Sequence, residues 1–142
     1  MAEKQVLLVE DEPNIAEAIR FILTRAGWNV TVEASGAAAL ARIAVLRPTA
    51  VILDLMLPGC SGLEILAGLR ADAELGRTPV LMLTARGQVR DREAAAAAGA
   101  SAFLAKPFAN ADVLSALEAI AAPVLADPAL AGPVLAGSGK AG

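Results

Sequence analysis

Short unbroken apolar runs alternate along this chain with longer stretches in which apolar positions recur every three or four residues. The first run, Val6-Leu7-Leu8-Val9, ends at Glu10-Asp11-Glu12-Pro13. Ile15, Ala18, Ile19, Ile22, Leu23 and Ala26 then fall on one face of a helix that Gly27 stops. Residues 29–32 alternate and predict a second strand, and residues 37–46 a second helix, ended by Pro48. Residues 50–53 form a third apolar run. The spacing of Leu63, Leu66 and Leu69 predicts a helix from Gly62 to about Arg70. Residues 79–83 predict a fourth strand leading into Thr84, and residues 88–98 an Ala-rich helix closed by Gly99. A short fifth strand over 102–104 stops before Lys106-Pro107. Val113, Leu114, Leu117, Ile120 and Ala121 then stripe a last helix from Asn110 to about Ala122.

Strands alternating one by one with helices make a βα repeat. Strands that are apolar at every position are covered on both faces, which implies a parallel sheet between two helical layers. The predicted fold class is therefore α/β, a (βα)5 doubly wound, five-stranded parallel sheet. Crossovers of this kind are right-handed, so the helices divide between the two faces. Functional groups of such sheets lie just beyond the carboxyl ends of the strands.

Composition narrows the picture. The chain has 142 residues, 56% hydrophobic and 19% charged, with a net charge of −3. That suits one globular domain with a sizeable core. The mild acidity leaves no footprint for direct nucleic-acid binding. No apolar run approaches the roughly 18 residues of a membrane span, and the N-terminus leads straight into a strand without a signal-peptide pattern. Cys60 is the sole cysteine, which excludes an internal disulfide and fits a reducing cytoplasm. The chain has no histidine, so neither a His base nor a His metal ligand nor a His phosphodonor comes from it. The final stretch, PVLADPALAGPVLAGSGKAG, is rich in Pro, Gly and Ala and repeats Pro-Val-Leu-Ala. Residues 1–122 thus read as the folded domain, and 123–142 as a flexible tail or truncated linker. Val124, Leu125, Leu130, Val134 and Leu135 leave open a sticky segment that docks on a partner.

Candidate chemistry comes from the strand ends. The first strand ends at Glu10-Asp11, the third at Asp54, the fourth at Thr84 and the fifth near Lys106. A buried strand ending in an acid is costly unless something pairs with that acid. Each residue has a plain structural role open to it. Glu10-Asp11 could begin a helix, where the dipole favours acids. Asp54 could cap a turn, Thr84 a loop, and Lys106 could be a solvated lysine. Taken together, carboxylates, a hydroxyl and an ammonium gathered at one edge suit a hard cation such as Mg²⁺ and a phosphoryl group.

Four fragments, VLLVEDEP, VILDLMLPGCSGLEIL, PVLMLTAR and GASAFLAKPF, each at a strand end and in order, resemble the receiver domain of two-component response regulators. The resemblance covers residues 5–122 and implies a flavodoxin-like, chemotaxis-regulator-like fold. It implies that Asp54 is the phosphoacceptor, taking a phosphoryl group from a sensor histidine kinase or a histidine phosphotransfer protein. Small donors such as acetyl phosphate are substitutes. Asp11 and Asp54 would ligate Mg²⁺ (or Mn²⁺), with the Met56 backbone carbonyl as a third protein ligand and Glu10 acting through water. Thr84 and Lys106 would sense the phosphate. Phe103 would be the switch aromatic that swings into the space Thr84 leaves, with a place in the core as its plainer role. The Lys106–Pro107 bond would be cis. Met56 and Arg86 would tune the lifetime of the phosphoryl group, and Gly62 fits a tight start to the third helix.

The resemblance also implies a switched protein-interaction surface, a cytoplasmic location and a downstream protein or output domain, with a phosphorylation-dependent homodimer as one mode of action. Receivers joined to winged-helix DNA-binding domains usually carry an acidic pair before the switch aromatic and an Arg in the last helix. Here Ser101-Ala102 and Ala116 stand there, which weakens that dimer. The chain would promote its own phosphorylation and dephosphorylation without being a turnover enzyme. Two other readings stay open. An aspartyl-phosphate phosphatase of the haloacid-dehalogenase type usually has a second Asp two residues after the nucleophile, where Met56 stands here. A pseudo-receiver would keep the fold without being phosphorylated. Dinucleotide binding fails, since no Gly-rich loop follows the first strand.

Overall fold

The computed structural model describes residues 4–84, 89–105 and 107–126. Their elements run β1 (Gln5–Val9), α1 (Pro13–Arg25), β2 (Asn29–Glu33), α2 (Gly36–Leu46), β3 (Ala50–Asp54), α3 (Gly62–Ala71), β4 (Val80–Thr84), α4 (Val89–Ala97), β5 (Ala102–Ala105) and α5 (Asn110–Ala126). The five strands form one parallel sheet in the order β2-β1-β3-β4-β5. The predicted fold class holds.

Strict alternation along the central strands explains their unbroken apolar runs. Leu7, Val9, Val51, Leu53, Val80 and Met82 face one layer, packed with Ala39 and Ile43 of α2, Ile65, Leu66 and Leu69 of α3 and Ala95 of α4. Val6, Leu8, Ala50, Ile52, Leu81 and Leu83 face the other, packed with Ala16, Ile19 and Leu23 of α1 and Val113, Leu117 and Ala121 of α5. Each central strand is thus buried twice, which periodicity of two alone would not announce. β2 lies on the sheet's edge, and none of its residues is fully buried.

Strand order shapes the carboxyl edge of the sheet. From β1 the chain moves outward to β2, then returns past β1 to β3 and continues outward through β4 and β5. The connections leaving β1 and β3 therefore diverge, and a crevice opens between the carboxyl ends of these two adjacent strands.

Two ends differ from the sequence expectation. α5 passes Ala122 and runs to Ala126 with Pro123 inside it. Proline removes one backbone donor and crowds the preceding turn. Here that cost falls in the helix's last turns, where Val124 is buried and Leu125 packs against the α1/α5 layer. Burial of those side chains offsets a locally poor helix former. The second difference is at α1. Its N-cap is Glu12, whose side chain accepts from the Asn14 N–H at 2.8 Å, with Pro13 at the first helical position. Glu10-Asp11, which could have begun this helix, thus lie before its cap. No helix among the described residues is long and apolar enough to cross a membrane.

Candidate functional site

Glu10 leaves β1 still under the sheet's control. Its backbone N–H donates to the Glu33 carbonyl at 3.1 Å, extending the β1–β2 ladder by one residue. Glu10 is only 2% exposed. Its Oε2 accepts from the Glu12 N–H at 3.1 Å, which turns the chain into α1. Asp11 sits between them and is exposed. Two consecutive acids thus present one buried and one open carboxylate at the β1 end of the crevice.

Asp54 is the last residue of β3 and is 4% exposed. Its Oδ1 accepts from the Met56 N–H at 3.0 Å, folding the chain over the carboxylate and orienting it. The Met56 side chain stays largely exposed beside the site. The start of α3 closes in from behind. Gly62 donates to the Leu55 carbonyl at 2.9 Å, and a Cβ on Gly62 would stand 2.4 Å from the Asp54 carbonyl oxygen. No larger residue fits there. Ser61 and Glu64 complete a capping box: Ser61 Oγ accepts from the Leu63 N–H and Glu64 Oε1 from the Ser61 N–H, each at 3.1 Å. A helix that must begin against the acid-bearing strand end therefore begins at a defined residue.

The decisive geometry is among the acids. Carboxylate oxygens of Glu10, Asp11 and Asp54 all lie within 4.8 Å of one another. Like charges so close repel unless a cation or protons intervene. Oxygen-only donors of this kind, partly buried and partly open, fit a hard divalent ion that keeps some of its water. Thr84 ends β4 fully buried. It pairs with Ala105 across the β4–β5 ladder, and Asp54 pairs with Leu83 across β3–β4. The hydroxyl's residue is thus one strand over from the acid and level with the strand ends. Phe103 lies in β5 opposite Met82 and is half-buried against the α2/α3/α4 layer. Lys106, with its bond to Pro107, and Arg86 lie outside the described residues.

One contact at the site's margin had no sequence signal. The Arg92 guanidinium of α4 lies over the Phe103 ring, 5.3 Å from its centroid. Nothing in the spacing of an Arg on an Ala-rich helix points to a ring on the following strand.

Comparison with known proteins shows the family and the fold. Residues 6–118 match the sequence profile of the response regulator receiver domain. A probable transcriptional regulatory protein from Mycobacterium tuberculosis, TcrX, is 43% identical over 115 residues, which is 81% of this chain and 48% of that protein. The chain spans about half the length of the curated relatives it matches. Among solved structures, the receiver domain of the sensor histidine kinase PA1611 of Pseudomonas aeruginosa superposes with a TM-score of 0.77 at 34% identity. That similarity covers 85% of this chain and 99% of the other, and the other structure holds a magnesium ion coordinated in its active site cleft. The chemotaxis response regulator CheY4 of Vibrio cholerae gives a TM-score of 0.78 at 30% identity, covering 84% of this chain and 99% of that one.

Proposed function

The chain belongs to the response regulator receiver domain family, and from that premise we propose that Asp54 is its phosphoacceptor. Receiver domains of response regulators are signalling proteins rather than turnover enzymes, and they work with histidine kinases and output domains. The observation that carries the reading is the meeting of Glu10, Asp11 and Asp54 carboxylate oxygens at the β1/β3 crevice.

The reaction is a phosphoryl exchange. An Asp54 carboxylate oxygen attacks the phosphorus of a phosphoimidazole on the donor protein. The P–N bond breaks as the P–O bond forms, and the imidazole leaves with the bonding pair and takes a proton from solvent. The Met56 N–H, holding Oδ1, orients the nucleophile so that little rotational freedom is lost on reaction. Asp11 and Asp54 would hold Mg²⁺ or Mn²⁺ together with the Met56 carbonyl, with Glu10 acting through water. When bound, such an ion supplies neutralising charge for the phosphoryl oxygens. Thr84 would donate its hydroxyl to a phosphoryl oxygen, and Lys106 would pair with another. The new dianion adds charge and acceptors that favour one arrangement of Thr84 and Phe103 over the other. Met56 and Arg86 would tune how long the phosphoryl group lasts.

The test is a mass measurement. Incubated with Mg²⁺ and acetyl phosphate, the parent chain gains one phosphate-sized increment, and Asp54→Ala gains none. Omitting the divalent ion suppresses the gain on the parent. An equal gain on Asp54→Ala would remove Asp54 from the role.

The names of the curated relatives favour a second point, that the switched surface serves transcriptional control. Against the usual dimer of such regulators stand Ser101-Ala102 and Ala116. Sedimentation with beryllofluoride and Mg²⁺ separates the two. A dimer formed only with the phosphoryl mimic supports the transcriptional mode, and a persistent monomer assigns the surface to a different protein partner.

A further inference from the structure

We propose that Arg92 is a positioning residue that straps Phe103 to the α4 side of β5, and so sets the threshold at which modification of Asp54 moves the ring. This rests on the phosphoacceptor reading above.

Three observations meet here. α4 is weakly anchored: its helix Val89–Ala97 buries Ala95 alone, and its sequence has almost no apolar face. The Arg92 guanidinium lies 5.3 Å from the centroid of the Phe103 ring, within the range of a cation–π attraction. With Ala95 the one fully buried residue of α4, that contact adds to what fixes the helix to β5. Third, Phe103 and Thr84 share a sheet face. Phe103 pairs with Met82 in the β4–β5 ladder, and Thr84 lies two residues beyond Met82. Met82 and Phe103 both pack in the α2/α3/α4 layer, and period two puts Thr84 on that same side. A ring leaving the Arg92 contact toward the strand ends would move toward Thr84. The cation therefore holds the ring in its resting place, and ring movement must break that hold.

The sign of the effect separates this role from simple electrostatics. Removing a positive charge near a phosphoryl site would weaken anion binding. Removing a strap that opposes the switch would strengthen it. An exposed cation–π contact corresponds to about a two- to fivefold change in an equilibrium.

The experiment uses the full chain with Arg92→Gln and Arg92→Lys. All three residues have similar helix propensity, so α4 itself is little altered. Binding of beryllofluoride in Mg²⁺ is titrated, and para-fluorophenylalanine placed at position 103 reports the ring by ¹⁹F NMR. Arg92→Gln should bind beryllofluoride about two- to fivefold more tightly and shift the free-state ring signal toward its bound position. Arg92→Lys should stay near the parent. In a Phe103→Leu background, Arg92→Gln should no longer tighten binding. Unchanged or weaker binding by Arg92→Gln, or equal tightening in the Leu background, overturns the strap. Failure of the phosphoacceptor reading would appear differently, as no beryllofluoride binding by the parent. The ring signal would then judge the strap alone, an unmoved signal in Arg92→Gln refuting it.

Discussion

Single residues hold the site in place, and two of them do so through the backbone. Gly62 has room for hydrogen alone, because the Asp54 carbonyl and the Leu55 Cα lie within 2.8 Å of where a Cβ would be. Gly62→Ala should therefore cost about 2–3 kcal/mol and displace Asp54. Denaturant unfolding checks the first effect, and loss of the acetyl phosphate mass gain checks the second. Arg70 acts at a distance from the crevice. Its guanidinium donates to the carbonyls of Gly99 at 2.9 Å, Gly76 at 3.1 Å and Thr78 at 2.6 Å. It thereby ties the end of α3, the approach to β4 and the turn before β5. Burial pushes its pKa down from the usual arginine value, and the three carbonyls compensate the lost water. Arg70→Met leaves those carbonyls short of a donor and should destabilise the fold by about 2–4 kcal/mol, read as a lower denaturation midpoint. Asp11 has the opposite sign. Asp11→Asn removes one of three crowded carboxylates, so without divalent ions it should melt higher than the parent. The same variant should lose most of the stabilisation that Mg²⁺ gives the parent, and melting curves with and without Mg²⁺ report both.

Elements differ in how firmly they are held. α3 begins at a full capping box and buries Ile65, Leu66 and Leu69. Ser61→Ala should cost about 1 kcal/mol and leave the phosphorylation chemistry in place, since the helix is anchored along its length. α4 is the contrast, with one buried alanine, and local opening should begin there. Hydrogen exchange should find α4 amides less protected than those of α3 or α5. α5 shows how packing overrides propensity. Pro123 and the repeated Pro and Gly after it predict a helix end, yet the helix persists to Ala126 because Val124 and Leu125 are covered. Val124→Ser should fray that last turn, seen as lost amide protection at residues 124–126.

At the scale of the whole molecule, the strand order makes the site. Returning from β2 past β1 to β3 sets two acid-tipped strands side by side and sends their connections to opposite faces. On the proposed function, the cluster destabilises the fold by itself and would stabilise it with a divalent ion bound. Binding to the folded chain alone adds about 2.7 kcal/mol at a ligand concentration one hundred times Kd. Across carboxylate-to-amide variants of the crevice, ion-free stability should therefore rise as ion affinity falls, and paired melting curves with and without Mg²⁺ report both.

Much of this molecule is legible in its residues alone. The alternation of strands and helices comes from periodicity, which is local, and every predicted element appears within a few residues of its expected place. Asp54 at the end of a doubly buried strand was legible because an acid there breaks an otherwise apolar run. Other features depend on docking between distant segments. Glu10 is buried where its backbone extends the β1–β2 ladder to Glu33, and Glu12 caps α1. Gly62 is obligatory because α3 starts against the Asp54 backbone. Arg92 reaches Phe103 because α4 lies over β5. Local residue order specifies which elements form and which residues stand at their ends, since propensity and hydrophobic period act over a few neighbours. Tertiary structure alone decided which ends meet, which acid is buried and where a proline is tolerated. Those outcomes turn on burial and on distances between residues far apart in the chain.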